Sequence, residues 1–383
     1  MDREFFDKWL PRINSVYKEL QELILTNLVM INEHPAPTFK ESGRSKIFCE
    51  RANAANNLTQ CGIDEMGNGV GILPGKEPDK NILVVSHLDT HFAETYDHRV
   101  SIQPLSISGV GVADNGLGCA VNAALPVFFE KLDYRPNANI IFMGSSRSLG
   151  SGDLAGLQFF LDQGKRQIDC GICLEALELG RISHTSHGVL RGSLTYKSRP
   201  ERRHNEGTGA LYYLTEIIND LLAYPLPSRP KTVISLTSIR AGHAFNRTAT
   251  EGNLNLEIRS EDSDIIRELS DFISDLADEY SSKTDAEITF QRLSVRMPGG
   301  IPYRSELVRS TRTILEWLDV QPQIYPSRSE LAALIVRGIP SVTVGLTRGK
   351  NTDSSDESVY LDLLEKGICQ LLLLLLETDR RSA

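Results

Sequence analysis

What most constrains this chain is how its apolar runs alternate. Short β-rich runs at Ile82–Ser86, Ile140–Met143, Ile172–Leu174 and Ser341–Gly345 are separated by helix-like stretches such as Gly116–Leu132 and Leu154–Leu161. Runs apolar along their whole length suit strands buried on both faces. Strands alternating with helices therefore imply an α/β fold, a mostly parallel sheet with helices on both faces. A long helix is expected before the sheet, with Leu20, Leu23, Ile24 and Leu28 at helical spacing and a stop at His34-Pro35-Ala36-Pro37.

The rhythm changes between Leu190 and Pro298. There the order is strand (Leu194–Lys197), helix (Gly209–Leu222), two strands (Thr232–Ile239, Asn253–Arg259), helix (Ile265–Tyr280) and strand (Glu287–Leu293). This β-α-β-β-α-β order is ferredoxin-like. The second helix carries Ile265, Leu269, Phe272, Ile273 and Leu276 on one face, the stripe of a helix packed on a small sheet. The α/β pattern resumes at Tyr303, so residues 190–298 read as a domain inserted into a larger one formed by 1–189 and 299–383. A length of 383 residues accommodates two such cores.

Charge narrows the function. Forty-one basic against 50 acidic residues give −9, which offers no field for a polyanion, so nucleic acid is not an expected partner. The N-terminus lacks a basic segment followed by an apolar one, and the leucine run 371–376 is too short to span a bilayer. A cytoplasmic protein without a membrane partner is the expectation. Six cysteines are too few for a disulfide scaffold, and Cys170-Gly171-Ile172-Cys173 lies in an expected strand, where its thiols face opposite sides.

In open α/β sheets ligands bind beyond the carboxyl ends of the strands. Ile82–Ser86 runs into His87-Leu88-Asp89, whose His and Asp, two apart on a strand end, point the same way. His87 can hold a metal while Asp89 orients its ring. Ile172–Leu174 runs into Glu175, Ser341–Gly345 into a loop with Asp353, and Asp114 opens the next helix. One imidazole and three carboxylates at one sheet edge suit a borderline metal such as zinc. A serine hydrolase is disfavoured, because Gly144-Ser145-Ser146-Arg147-Ser148 lacks the closing glycine of G-x-S-x-G.

His87-Leu88-Asp89-Thr90, Gly111-Val112-Ala113-Asp114-Asn115, Leu174-Glu175, Asn246 and Glu257-Ile258-Arg259-Ser260 together resemble the zinc exopeptidase family of aminoacylases, carboxypeptidase G and tripeptide aminopeptidase. The likeness runs through nearly the whole chain, and the inserted segment resembles that family's lid or dimerisation domain. It implies two zinc ions bridged by Asp114, the first also held by His87 and Glu175. It also implies a homodimer, or a heterodimer with a paralogue, and substrate contacts from Asn246 and Arg259.

Three departures follow. The family's glutamate pair, a general base and a ligand to the second metal, falls on Ser148-Leu149 or Arg147-Ser148. Its last histidine is replaced by Asp353, and its lid histidine has only His204 as a candidate. The expectation is one zinc per chain, bound by His87, Asp114 and Glu175, with Asp353 too poorly supported to hold a second. A missing base alone removes about 10²–10⁴ in rate. The chain is therefore expected to bind a small peptide or acylated amino acid without cleaving it. The alternative is an active hydrolase with a rearranged mononuclear site, with His91, Asp153 or Glu178 as substitute base.

Overall fold

The computed structural model describes residues 2–164, 166–198, 209–284, 286–352 and 354–382. The chain divides into two compact units, Met1–Thr185 with Gly300–Ala383, and Ser186–Gly299.

The first unit is built on an eight-stranded sheet. Its centre runs Ala138–Ser145, Glu77–His87, Cys170–Leu177, Ser341–Thr347, all parallel. The strands that pair directly with this centre, Gly69–Leu73 on Ala138–Ser145 and Arg181–Ser183 on Ser341–Thr347, do so antiparallel, added to a parallel core. Alternation divides the central strands between two cores. Ile82, Val84, Ile140, Phe142, Ile172 and Leu174 face the helices Arg3–Asn32, Leu117–Lys131 and Leu364–Ser382. Leu83, Val85, Ile141, Met143 and Cys173 face the shorter helices Ala155–Asp162 and Leu331–Val336. A strand with both faces covered is apolar throughout, which is why these runs show no polar alternation.

Val112–Lys131 is apolar enough to cross a bilayer by composition, yet it is buried in this core, where an all-round apolar helix belongs. All six cysteines are free thiols. Cys170 and Cys173 lie opposite Ile82 and Val85, residues that face different sides of the sheet, so the pair does not share a ligand.

The second unit has four antiparallel strands in the order Thr232–Ala241, Glu251–Ser260, Gly188–Ser198, Ala286–Arg296. The helices Ala210–Ala223 and Ser263–Lys283 bury Leu214, Ile217, Leu221, Ile266, Leu269 and Ile273 against Leu190, Leu194, Leu254, Leu256 and Ile258. This is the ferredoxin-like arrangement expected of the order β-α-β-β-α-β.

Candidate metal centre

Register places the site. Ser145 stands opposite His87 on neighbouring parallel strands. Cys173 stands opposite Val85, so Glu175, two residues further on, occupies the row of His87. Ser145, His87 and Glu175 thus share one row at the carboxyl ends of three adjacent strands. By parity they point to the face covered by Ala155–Asp162 and Leu331–Val336.

Asp114 joins the row from a loop. Gly111, at φ 77°, takes a backbone conformation open to glycine, and its amide donates to the fully buried Glu357. Asn115, joined to Asp114 by a cis peptide bond, donates from Nδ2 to Leu174 O at 2.7 Å, and its Oδ1 accepts from Ala176 N at 3.0 Å. Those two partners flank Glu175, so one side chain fixes the loop of Asp114 against the strand of Glu175.

His87, 2% exposed, has Nε2 3.0 Å from Asp114 Oδ1. Its Nδ1 lies 3.0 Å from the carbonyl oxygen of Asp89 and 3.6 Å from Asp89 Oδ1. Glu175 Oε1 accepts from Ser329 Oγ at 2.6 Å. One ligand atom each from His87, Asp114 and Glu175 falls within 4.8 Å of the others.

The electrostatics match this crowding. Burial pulls the His87 pKa down, but hydrogen bonds and charge from Asp114 and Asp89 outweigh it and hold the ring well above its ordinary value. Burial pushes Asp114 up, and the bond to His87 outweighs that and leaves it low. Burial raises Glu175. The acids of the cluster thus favour a positive charge at this place. A divalent cation bound by one imidazole nitrogen and two carboxylates would supply it, so the donor set fits zinc.

Asp89 is fully buried and lies behind the ring. Its Oδ2 accepts from Thr38 Oγ1 at 2.9 Å, Ser148 N at 3.0 Å and Leu149 N at 2.8 Å. The segment in which the resemblance places two glutamates therefore turns its backbone amides to Asp89. Ser148 Oγ lies 3.0 Å from Ser145 Oγ, and the Arg147 guanidinium covers the Phe39 ring at 5.8 Å. No side-chain carboxylate comes from residues 145–149.

Sequence reading brought His87, Asp89, Asp114 and Glu175 to one edge, and they meet there. Asp353 and His204 lie outside the described residues. Of the three substitute bases, His91 is exposed, Asp153 is half-buried and Glu178 is bound to Arg181 at 3.1 Å. Asn246 and Arg259 belong to the second unit. Asn246 is exposed at φ 60°, and Arg259 Nη2 is paired with Glu257 Oε1 at 2.6 Å, a carboxylate that also binds Arg191.

One residue was missed. Glu330 is 2% exposed, and its Oε1 accepts from Ser145 Oγ at 3.1 Å. Its charge bears on both His87 and Glu175. The available signal was a polar segment, Ser327-Arg328-Ser329-Glu330, set directly before an apolar helix.

Residues 68–147 match Peptidase family M28, and residues 190–285 match the Peptidase dimerisation domain. No curated protein matches the chain in sequence. A tripeptidase from Staphylococcus aureus is 18% identical over 94% of this chain and 98% of its own, with a TM-score of 0.74. The dipeptidase Dug1p from Saccharomyces cerevisiae is 12% identical over 97% and 98%, with a TM-score of 0.75. A dinuclear metal-binding peptidase of the M20 family from Bacillus subtilis is 14% identical over 94% and 99%, with a TM-score of 0.68. At these identities the likeness to the solved structures is one of fold.

Proposed function

From the premise that this chain has the fold and the dimerisation unit of the metal-dependent exopeptidases, we propose that it is a one-metal hydrolase of small peptides or acylated amino acids. The observation that carries this reading is the convergence of His87, Asp114 and Glu175. When bound there, zinc would supply Lewis acidity to the scissile carbonyl. The chain's own residues prepare the place. Asp89 orients His87, Ser329 orients Glu175, and Asn115 joins the Asp114 loop to the Glu175 strand. These are the supports that hold ligands in a productive geometry.

The sequence alone favours a silent binder, and one observation still speaks for that second reading. Ser148 and Leu149 present amides to Asp89 where the resemblance implies glutamates. Glu330 shifts the balance toward hydrolysis, because it returns a carboxylate to the end of the same strand. Zinc-loaded protein should be assayed on dipeptides and N-acylated amino acids, with calorimetry in parallel. Turnover above the zinc-free control supports the hydrolase. Binding without turnover leaves the silent binder, and no binding removes both.

We place the protein in the cytoplasm, consistent with its six free thiols, and assign self-association to the inserted unit. Deleting residues 186–299 and joining the ends should give a monomer in light scattering. A persisting dimer would place the interface elsewhere.

A further inference from the structure

Glu330 stands where no substitute base was sought. Ser145, His87 and Glu175 share a row across three adjacent strands, each step about 4.8 Å. Consecutive residues anchor at the two ends of that row. Ser329 Oγ donates to Glu175 at one end, and Glu330 accepts from Ser145 at the other. The Glu330 side chain is thereby held along the row beside His87, which lies between those ends. The apolar helix Leu331–Val336 that follows is buried against the same sheet face, so its packing fixes where Glu330 enters.

Two facts separate Glu330 from a metal ligand and from an ordinary buried acid. It is not among the three residues whose ligand atoms converge. Its hydrogen bond comes from Ser145, the last residue of the strand after which the resemblance places the missing glutamates. A carboxylate lost from the tail of one strand is matched by one arriving from the head of a helix, 185 residues away.

We propose that Glu330 is the proton acceptor of this site. The inference rests on the hydrolase reading above. An O–H bond of the attacking water breaks and its proton passes to the Glu330 carboxylate as the water oxygen bonds to the amide carbonyl carbon. The proton then goes to the amide nitrogen as the C–N bond breaks. Products are a carboxylic acid and an amine, Glu330 is again a carboxylate, and no oxidant or reductant is required.

The test compares zinc-loaded wild type with Glu330→Gln and Glu330→Asp. One readout is kcat and KM on the best N-acylated amino acid. The second needs no turnover: calorimetric affinity for an amino-acid hydroxamate, whose N–OH proton needs an acceptor when its oxygens engage the cation. Glu330→Gln should lower kcat by about 10²–10⁴ with little change in KM. It should weaken hydroxamate binding about 10–100-fold, the worth of a hydrogen bond to a charged group. Zinc content should be unchanged, and Glu330→Asp, which keeps the charge, should retain part of both. Unchanged hydroxamate affinity overturns the proposal, as does loss of zinc, which would make Glu330 a ligand. If wild type cleaves nothing while hydroxamate affinity still falls in Glu330→Gln, the hydrolase reading fails and the acceptor role stands.

Discussion

The two sides of the strand-end row differ in the side chains they carry. On the His87–Glu175 side, each ligand is held by a partner of its own: Asp89 behind His87, Ser329 on Glu175, Asn115 beside Asp114. On the Ser145 side, the corresponding side chains are hydroxyl, guanidinium and isobutyl groups. Yet that side is not idle, because Ser148 N and Leu149 N both donate to Asp89 Oδ2. The altered segment still supports the intact one through its backbone, and a backbone amide is indifferent to which residue carries it. The absence of acids from residues 145–149 is therefore compatible with the convergence of His87, Asp114 and Glu175 beside them.

Three substitutions break this comparison at successively outer layers. His87→Ala removes one of three converging ligands, and zinc affinity should fall by more than the roughly 100-fold that marks the loss of an outer partner. Competition against a chromogenic chelator measures it, and a small change would mean that other groups hold the metal. Asp89→Ala removes the carboxylate beside the ring, keeps the backbone carbonyl 3.0 Å from His87 Nδ1, and leaves the two amides without their acceptor. Here the same assay should show a loss of about 10–100-fold. Leu149→Pro is the finest cut. Leu149 is extended, with φ −89° and ψ 157°, so a small backbone adjustment admits proline and the change chiefly deletes one N–H to Asp89. Zinc affinity should drop less than tenfold with near-wild-type folding, and no drop at all would show that Ser148 N and Thr38 suffice.

Much of this was legible in the sequence because the signals were local. Runs without polar alternation announced strands buried on both faces, and two of them, Ile82–Ser86 and Ile172–Leu174, run directly into His87 and Glu175, which converge with Asp114. The inserted unit was equally plain, although the structure draws its limits at Ser186 and Gly299 rather than at 190 and 298. Glu330 was not legible. It follows no strand, it opens a helix of only six residues, and its partner Ser145 lies far away in the chain. Arg259 pairs with Glu257, two residues before it on the same strand, and Glu257 also binds Arg191 on the neighbouring strand, a contact that spacing does not show. Pairings of distant side chains come only with the fold.

Metal stoichiometry tests the central claim most directly. Three groups that could hold a metal ion converge, and residues 145–149, where the resemblance places the acids of a second site, present Ser145, Ser148 and Leu149 instead. After loading with excess zinc and dialysis against a mild chelator, elemental analysis should find one zinc ion per chain, and His87→Ala should retain none. Two retained ions per chain, or zinc held undiminished by His87→Ala, would contradict the account.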